Sequence, residues 1–348
     1  MNLPSPSSIL ELPSFLFQHI CAKLTKLLFL PAEFSLASLS AALCIVLLFL
    51  GFRRSRRRKP LRVRVLVRAL FPRRMLRSAS SRADVGFFLF NVFLASLLFG
   101  WAILSYHFVS TTVTSRLADA FGAMTPTSLS KVSAVAILTV ALFVAYELAY
   151  FVDHYLSHNI PFLWEFHKVH HEAEVLSPLT DFRVHPVDTL VFYNILALFT
   201  GITGGALNYL LGAPIEEFTV ANTNAIVLLF AFLIGTLQHS QFWIAFTGPW
   251  GRLFLSPAHH QIHHSTDPAH FNKNLGNFLG LCDWLAGTLH VPGKKREKLI
   301  FGVEPRARDA HSFQGAIIAP VRQGLRHIRG VFLRTAKVQG LRQERWQQ

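Results

Sequence analysis

The chain has 348 residues, of which 51% are hydrophobic and 15% are charged, and it carries a formal net charge of +15 at pH 7. Its three cysteines are scattered and support neither a disulfide framework nor a thiolate zinc site. The basic residues concentrate at 53–82 and 294–345, beside apolar sequence, where phospholipid head groups explain them better than nucleic acid does. We therefore expect no nucleic-acid partner.

Long apolar runs predict a multi-pass membrane protein, because each is about as long as a hydrocarbon core of roughly 30 Å requires. The runs predicted to span the membrane are 35–52, 86–108, 132–152, 187–211 and 221–246. The first is followed at once by the basic stretch Arg53–Lys59, an order opposite to that of a cleavable signal peptide. It therefore predicts a retained helix whose C-terminal end lies in the cytoplasm. The weakly charged segment 109–131 is then a non-cytoplasmic loop.

Three histidine boxes follow the third of these runs, with the spacings H-x3-H, H-x2-H-H and H-x2-H-H. Their histidines are His154 and His158, then His167, His170 and His171, then His260, His263 and His264. On a helix, residues three or four apart project from one face, so each box presents its imidazoles to a common point. The predicted spans bring every box to the cytoplasmic face, where we predict a metal site. His239, near the cytoplasmic end of the last predicted span, could join it.

Neutral imidazole suits iron, zinc, copper and nickel. Eight or nine imidazoles exceed the four to six ligands that one such ion takes, so two metal ions are the simplest interpretation. Two iron ions could activate O2 to break an unactivated C–H bond, whereas zinc could activate water for hydrolysis. Because the site lies at the base of apolar helices, we expect a membrane lipid as the substrate.

Other residues close to the boxes in sequence could support the ligands. A ligating histidine usually donates its second ring N–H to a carboxylate or a carbonyl, and Asp153, Asp181 and Asp267 are the preferred candidates for that role. The alternative for each is an ordinary solvated acid at a membrane edge. His185 and His259 stay open between an extra ligand, a residue that supports a ligand and a proton relay.

The motifs around these residues identify a family resemblance. The segments that carry it are WEFHKVHH at 164–171, FRVHP at 182–186, LQHS at 237–240, SPAHHQIHHS at 256–265 and NKNLG at 272–276. From about residue 143 to 291 the chain resembles the sterol desaturase and fatty acid hydroxylase superfamily of integral membrane oxygenases, in its bacterial-type branch. The resemblance implies a non-haem di-iron site that uses O2, with the box histidines as ligands. Zinc could replace iron in isolated protein.

The resemblance also implies substrates and partners. Members of the superfamily hydroxylate or desaturate sterols, fatty acyl chains, ceramides, alkylglycerols or carotenoids. No cytochrome b5-like segment is evident in this chain, so the electrons are expected from a separate donor, either a cytochrome b5-like protein, a ferredoxin or a reductase. The expected location is a bacterial inner membrane or the endoplasmic reticulum, with the active site on the cytoplasmic side.

The predicted fold is an all-α integral membrane protein with about four to five transmembrane helices and a cytosol-facing, histidine-rich helical cap. We divide it into an interfacial segment at 1–34, two helices with the basic loop at 35–130, a catalytic domain at 131–292 and a basic tail at 293–348. The tail is either a helix on the lipid surface or a dispensable extension. Two alternatives to an oxygenase are a membrane metal transporter and a degenerate, non-catalytic member of the family.

Overall fold

The computed structural model describes residues 6–60, 62–304 and 309–346, with side chains described for 13–60, 62–304 and 309–330. Residues 1–5 of the predicted interfacial segment, and 305–308 and 347–348 of the predicted tail, lie outside the described residues. Over the described residues the chain is mostly helical and has one short β-hairpin, so the predicted all-α class is confirmed.

The first half of the chain is helical over most of its described residues. They are α1 (Pro6–Phe29), α2 (Leu36–Ser55), α3 (Val63–Leu70), α4 (Arg73–Arg77), α5 (Ala79–Phe90) with a π-helical turn (Asn91–Ala95), α6 (Ser96–Phe99) with a 3-10 turn (Gly100–Ala102), α7 (Tyr106–Phe121), α8 (Lys131–Asn159) and α9 (Pro161–His171).

In the second half of the chain, α10 packs against both α8 and α9. Its elements are a 3-10 turn (Pro178–Phe182), α10 (Pro186–Leu211), β1 (Thr219–Val220) antiparallel to β2 (Thr223–Asn224), α11 (Ala225–Phe230), a π-helical turn (Ala231–Gly235), α12 (Thr236–Gln238), α13 (Gly248–Leu253), α14 (Pro257–His263), a 3-10 turn (Pro268–His270), α15 (Leu281–Ala286) and α16 (Phe313–Trp346).

Four helical stretches among the described residues are long and apolar enough to cross a membrane. They are Leu36–Ser55, Ala79–Phe121, Lys131–Asn159 and Pro186–Leu211. Three of them coincide with the runs predicted at 35–52, 132–152 and 187–211.

The second stretch departs from the prediction, because residues 109–121 of the predicted loop 109–131 are helical and only 122–130 lack helical structure. The chain turns at Gly100–Ala102 and resumes as α7, which continues to Phe121. The hydroxyl groups that suggested a loop are accommodated within the helix: the Oγ1 atoms of Thr111 and Thr112 donate to carbonyls four residues back, at 2.6 Å each.

The predicted fifth span, 221–246, is also wrong. Its first residues form the β-hairpin, and the apolar helix that follows runs from Ala225 to Gln238. At about 1.5 Å per residue such a helix is roughly 20 Å long, which is shorter than a hydrocarbon core. It ends where His239 and Ser240, both buried, enter the histidine-rich region.

The helices α7 and α10 pack closely because α10 contains Gly201, Gly204 and Gly205. A Cβ atom at Gly205 would lie 2.4 Å from the Ser110 carbonyl oxygen, and one at Gly201 would lie 2.6 Å from Val109 Cβ. Small residues at this spacing let helix backbones approach in membrane proteins. The glycines therefore set the separation of these two helices.

Gly205→Ala is expected to destabilise the protein by about 1–3 kcal/mol, because the new methyl group meets the backbone of α7 and the helices must separate. The measurement is thermal denaturation in detergent micelles. Gly86→Ala in α5 is the control, because its new Cβ would have no neighbour within 4 Å. We expect that substitution to be neutral or stabilising. Equal stability of the two variants would contradict the packing argument.

The cap that carries the boxes is built on the end of α8. Box one lies in the last turns of α8, and Pro161 at the first position of α9 starts the next helix at once, so boxes one and two face each other across a short turn. Helix α16, predicted as a basic tail, packs against α9. Its Ile317 carbonyl accepts a hydrogen bond from His185 Nε2 at 3.1 Å. The placement of α16 on lipid stays a prediction.

Candidate metal centre

The nine histidines predicted as ligands come together in two groups. The first contains His154, His158, His167, His171 and His263, and the second contains His170, His239, His260 and His264. Within each group, one ring nitrogen from every member lies within 4.8 Å of those of the others. The prediction that each box points to one common place is thus correct for box one but wrong for boxes two and three, which are divided between the groups.

The division of box two follows from its position on α9. His167 and His171 are four residues apart and point the same way, whereas His170, between them in sequence, projects to the neighbouring group. Box three divides in the same manner at the end of α14. His239, which leaves α12, completes the second group, as the sequence suggested.

In the five-histidine group the Nε2 atom of every member is buried and has no hydrogen-bond partner. In two members the other ring nitrogen has a backbone partner. His154 Nδ1 donates to the Leu275 carbonyl at 2.7 Å, and His263 Nδ1 donates to the Lys273 carbonyl at 3.0 Å. Donation by Nδ1 leaves the Nε2 lone pair directed inward. Five converging, unpartnered acceptors fit a bound cation, since buried polar atoms otherwise find partners.

In the four-histidine group the Nε2 atoms approach one another directly. The Nε2 atom of His239 lies 3.0 Å from that of His170 and 2.8 Å from that of His260. The Nε2 atoms of His264 and His260 are 3.1 Å apart. Imidazole nitrogens that bind one ion at about 2.0–2.1 Å must lie roughly 3 Å from each other, so this arrangement also fits a metal.

The two groups adjoin. The ring of His171, from the first group, stacks on the ring of His264, from the second, with 4.5 Å between centroids. The ring centroids of His263, from the first group, and His264, from the second, are 5.3 Å apart. Any ions that the two groups bind are therefore near neighbours.

The electrostatics of the cluster favour neutral rings. Burial, followed by the neighbouring imidazoles, lowers the pKa values of His170, His260 and His264 well below their ordinary range. Burial is also the main cause that lowers the pKa values of His239 and His263 to about 3. These shifts favour the neutral form of these five rings at pH 7, which is the state that binds a metal.

Two histidines that the sequence left open have both ring nitrogens occupied by protein groups. His259 completes a capping box at the start of α14: its Nδ1 lies 2.8 Å from Ser256 Oγ, and its Nε2 lies 2.9 Å from the Gly251 carbonyl oxygen. His185 caps α10, because its Nδ1 accepts the Val187 N–H at 3.1 Å while Nε2 donates to Ile317. Neither ring has a nitrogen left for a metal.

The predicted carboxylates fall in three different positions. Asp181 Oδ1 lies 3.5 Å from His239 Nδ1. Asp153 is buried beside the first group, and its Oδ1 atom has no hydrogen-bond partner. Asp267 instead caps a 3-10 turn, where its Oδ1 accepts the Ala269 N–H at 3.0 Å. The geometry therefore favours a supporting role for Asp181 over one for Asp267.

The carboxylate that does contact the first group is Asp188, which was not preferred from the sequence. It lies in the first turn of α10, and its Oδ2 atom is 3.1 Å from His167 Nδ1. Both side chains are almost fully buried. Its position directly after the FRVHP motif is the signal that could have indicated it.

Asp188→Asn is expected to weaken metal retention by about 10- to 100-fold, because the substitution removes the charged partner that orients His167. The measurement is the rate of metal loss to a chelator from the purified protein. Asp267→Asn is the matched control and should retain metal like the unmodified chain. Equal rates for the two variants would show that Asp188 does not support the site.

Sequence reasoning also missed the segment 272–279, which supplies the two carbonyl acceptors. Two buried carboxylates hold it in place. Asp283 accepts the N–H groups of Leu275 and Gly276 at 2.8 and 2.7 Å, and Glu147 of α8 accepts that of Leu279 at 2.7 Å. Carbonyl acceptors have no sequence signature of their own, although the NKNLG motif overlaps them.

A cavity of about 710 Å³ reaches both histidine groups. Its lining includes His154 and His167 from the first group and His170 and His239 from the second. Most of the remaining lining is aromatic or aliphatic, including Phe34, Phe99, Tyr146, Tyr150, Phe182, Phe192, Tyr193 and Phe278. The volume and lining are typical of a site for a largely apolar small molecule.

Comparison with known proteins identifies relatives of the same segment. The fatty acid hydroxylase family model matches residues 139–288. Ornithine lipid hydroxylase OlsE of Rhizobium tropici is 35% identical over 146 residues, which cover 42% of this chain and 40% of OlsE. The alkylglycerol monooxygenases of Danio rerio and Homo sapiens are 25% and 24% identical over 162 and 166 residues, 46% of this chain and 32% of each relative. The matches thus span less than half of these relatives. No solved structure matches the chain.

Proposed function

Since residues 139–288 form a domain of the sterol desaturase/fatty acid hydroxylase superfamily, we propose that the protein is a membrane oxidoreductase that uses two iron ions and O2 to hydroxylate or desaturate a C–H bond of a lipid. The observation that carries this proposal is the pair of adjoining histidine groups, whose rings converge beside one largely apolar cavity. The lipid hydroxylases and monooxygenases among the relatives support the reaction class.

Each histidine group would hold one iron ion. The first offers five Nε2 atoms and the second offers four, and donors of this kind suit iron. When bound, iron would supply the chemistry that reduces O2, with electrons from a separate donor protein, and that breaks a C–H bond. The protein orients the ligands through the outer hydrogen bonds from Nδ1 of His154, His167 and His263.

The cavity would bind the lipid and exclude water from the reacting carbon. Aromatic side chains such as Phe34, Phe182 and Tyr150 offer contacts to an acyl or sterol skeleton, and His154 and His239 bring one carbon next to both groups. The cavity would also select the carbon that is oxidised. The length of lipid between the cavity entrance and the histidine groups determines which carbon lies next to the groups.

The orientation in the membrane and the division into segments are part of the proposal. The basic stretch Arg53–Lys59 at the end of α2 supports a cytoplasmic location for that end, and we propose that the turn from α8 into α9 lies on the same face. We propose that 131–292 is the catalytic domain, because it contains every histidine of both groups.

The test is metal analysis and product analysis on the same detergent-purified sample, made with ample iron. We expect about two irons per chain and, after incubation with 18O2, a donor protein and membrane lipids, a lipid with an added 18O atom or a new double bond. His263→Ala removes one histidine of the first group and should lower both the metal content and the lipid product. His259→Asn, at a histidine outside both groups, is the matched control. A well-folded chain without metal, or metal-loaded chain that oxidises no lipid class, would overturn the proposal.

A further inference from the structure

A second cavity, of about 460 Å³, lies apart from the histidine groups. It is formed by the last turns of α2, the segment 68–74, residues 174–176, the stretch after His239 and residues 296–301. None of the nine histidines is among its described lining residues. This cavity is therefore separate from the one proposed for the substrate.

The composition of this second cavity is amphipathic. Four arginines line it, Arg53, Arg68, Arg74 and Arg296, and all four are exposed. Within the described part of the chain, no hydrogen bond or ion pair engages their guanidinium groups. The lining also includes a carboxylate, that of Glu174, whose Oε1 atom lies 3.2 Å from His311 Nε2. The excess charge of the cavity is positive.

Between the arginines the cavity wall is apolar. It consists of Phe49, Leu50, Ala69, Pro72, Val175, Leu176, Phe242, Trp243, Leu299, Ile300 and Phe301. Phe49 and Leu50 belong to α2, one of the helices long and apolar enough to cross a membrane, and Arg53 lies in the last turn of the same helix. The cavity thus sits where a membrane-spanning helix would leave the bilayer.

We propose that this cavity binds the phosphate head group of an anionic membrane lipid, with the first part of its acyl chains against the apolar wall. Guanidinium groups bind phosphate oxygens in pairs, and basic pockets beside spanning helices on the cytoplasmic side suit anionic lipid head groups. The four unengaged arginines supply the complementary charge. This role also gives the basic stretch 53–82 a function, which the histidine chemistry does not.

The bound lipid would reinforce the segments that carry the histidines. Gln241 lies two positions after His239. Its Nε2 atom donates to the carbonyls of Ala69 and Leu70, at 2.7 and 3.1 Å, and so connects the basic stretch to the segment that follows His239. Gln261, which lies between His260 and His263 on α14, donates through Nε2 to the carbonyls of Ser240 and Phe242, at 2.8 Å each. Both glutamines line the cavity.

The test measures binding of dioleoyl phosphatidylglycerol to the full-length protein in mild detergent, with dioleoyl phosphatidylcholine and inorganic phosphate as separate probes. The variant Arg68→Gln/Arg74→Gln removes two arginines from the cavity. Arg57→Gln/Arg58→Gln is the matched control, because it removes the same charge from the same basic stretch at residues that do not line the cavity. None of these residues belongs to the histidine site, so the readout does not depend on the proposed oxidation.

We expect phosphatidylglycerol to bind more tightly than phosphatidylcholine. The cavity variant should lose about 25-fold in affinity, at roughly fivefold per arginine, and the control less than about threefold. Equal losses in both variants, or equal binding of the two lipids, would overturn the proposal. Inorganic phosphate that protects the protein from heat as well as phosphatidylglycerol does would identify a soluble ligand instead. Unchanged lipid binding with slower donor-supported turnover in the cavity variant would identify a protein docking site instead.

Discussion

Replacing His260 with alanine is expected to lower the metal content to at most one ion per chain and lipid oxidation by more than about 100-fold. His260 is one of four histidines in its group, and its Nε2 atom contacts those of both His239 and His264. Its loss leaves three ligands and opens the centre of the group. Loss of a mere supporting residue already costs about 10- to 100-fold in metal affinity, so loss of a ligand should cost more.

His158→Ala in the five-histidine group should be milder, because four Nε2 atoms remain. Elemental analysis after dialysis against a weak chelator would separate the two variants, with His259→Asn as the control that changes a buried histidine outside both groups. A His260→Ala protein that keeps two ions, or a His158→Ala protein that loses more metal than His260→Ala does, would contradict the division into groups of five and four.

Arg183→Met is expected to destabilise the protein by about 3–5 kcal/mol, because it leaves the buried carboxylate of Asp84 without its cation. Arg183 is fully buried and connects three parts of the chain. Its Nε donates to the Val169 carbonyl between box-two histidines at 2.8 Å, its Nη1 lies 3.3 Å from Asp84 Oδ1 in α5, and its Nη2 donates to the Ala310 carbonyl at 3.0 Å. The guanidinium thus links α9 to α5 and to the residues before α16.

The measurement for Arg183→Met is thermal denaturation of the metal-free protein in detergent, where a loss of this size lowers the melting temperature by about 4–7 °C. The metal-free form is chosen so that the result reports packing and not ligand loss. Arg326→Gln, an exposed arginine on α16, is the control and should change stability by less than about 0.5 kcal/mol. If both variants denature at the same temperature, Arg183 does not hold the cap together.

The sequence predicted well which histidines come together, because histidine spacing is a local property of a helix. All eight box histidines and His239 lie in the two groups, and the family resemblance from 143 to 291 is confirmed by the match at 139–288. Spacing gives the angle between side chains on one helix, but not the angle between helices. The partition of boxes two and three therefore depends on where the fold places α9 and α14 relative to each other.

The errors outside the boxes have similar causes. Thr111 and Thr112 read as loop residues, yet each satisfies its hydroxyl within α7. The run 221–246 is apolar enough to span a membrane, but its helix ends at Gln238, and the next residue, His239, belongs to the second histidine group. His185 and Asp188 lie three residues apart at the start of α10, yet His185 caps the helix and Asp188 contacts His167. Composition does not distinguish these roles.

The sharing of boxes two and three between the groups has a consequence for assembly. Helix α9 contributes His167 and His171 to one group and His170 to the other, and α14 with the residue after it contributes in the same way. Neither group can therefore be ordered alone, because the same two short helices must be held in place for both. With two ions, as proposed, the first to bind would bear the entropic cost of fixing these helices, and the second would bind to ligands that are already positioned. Loading should accordingly be cooperative, with little of the chain present at any time in the form that holds one ion.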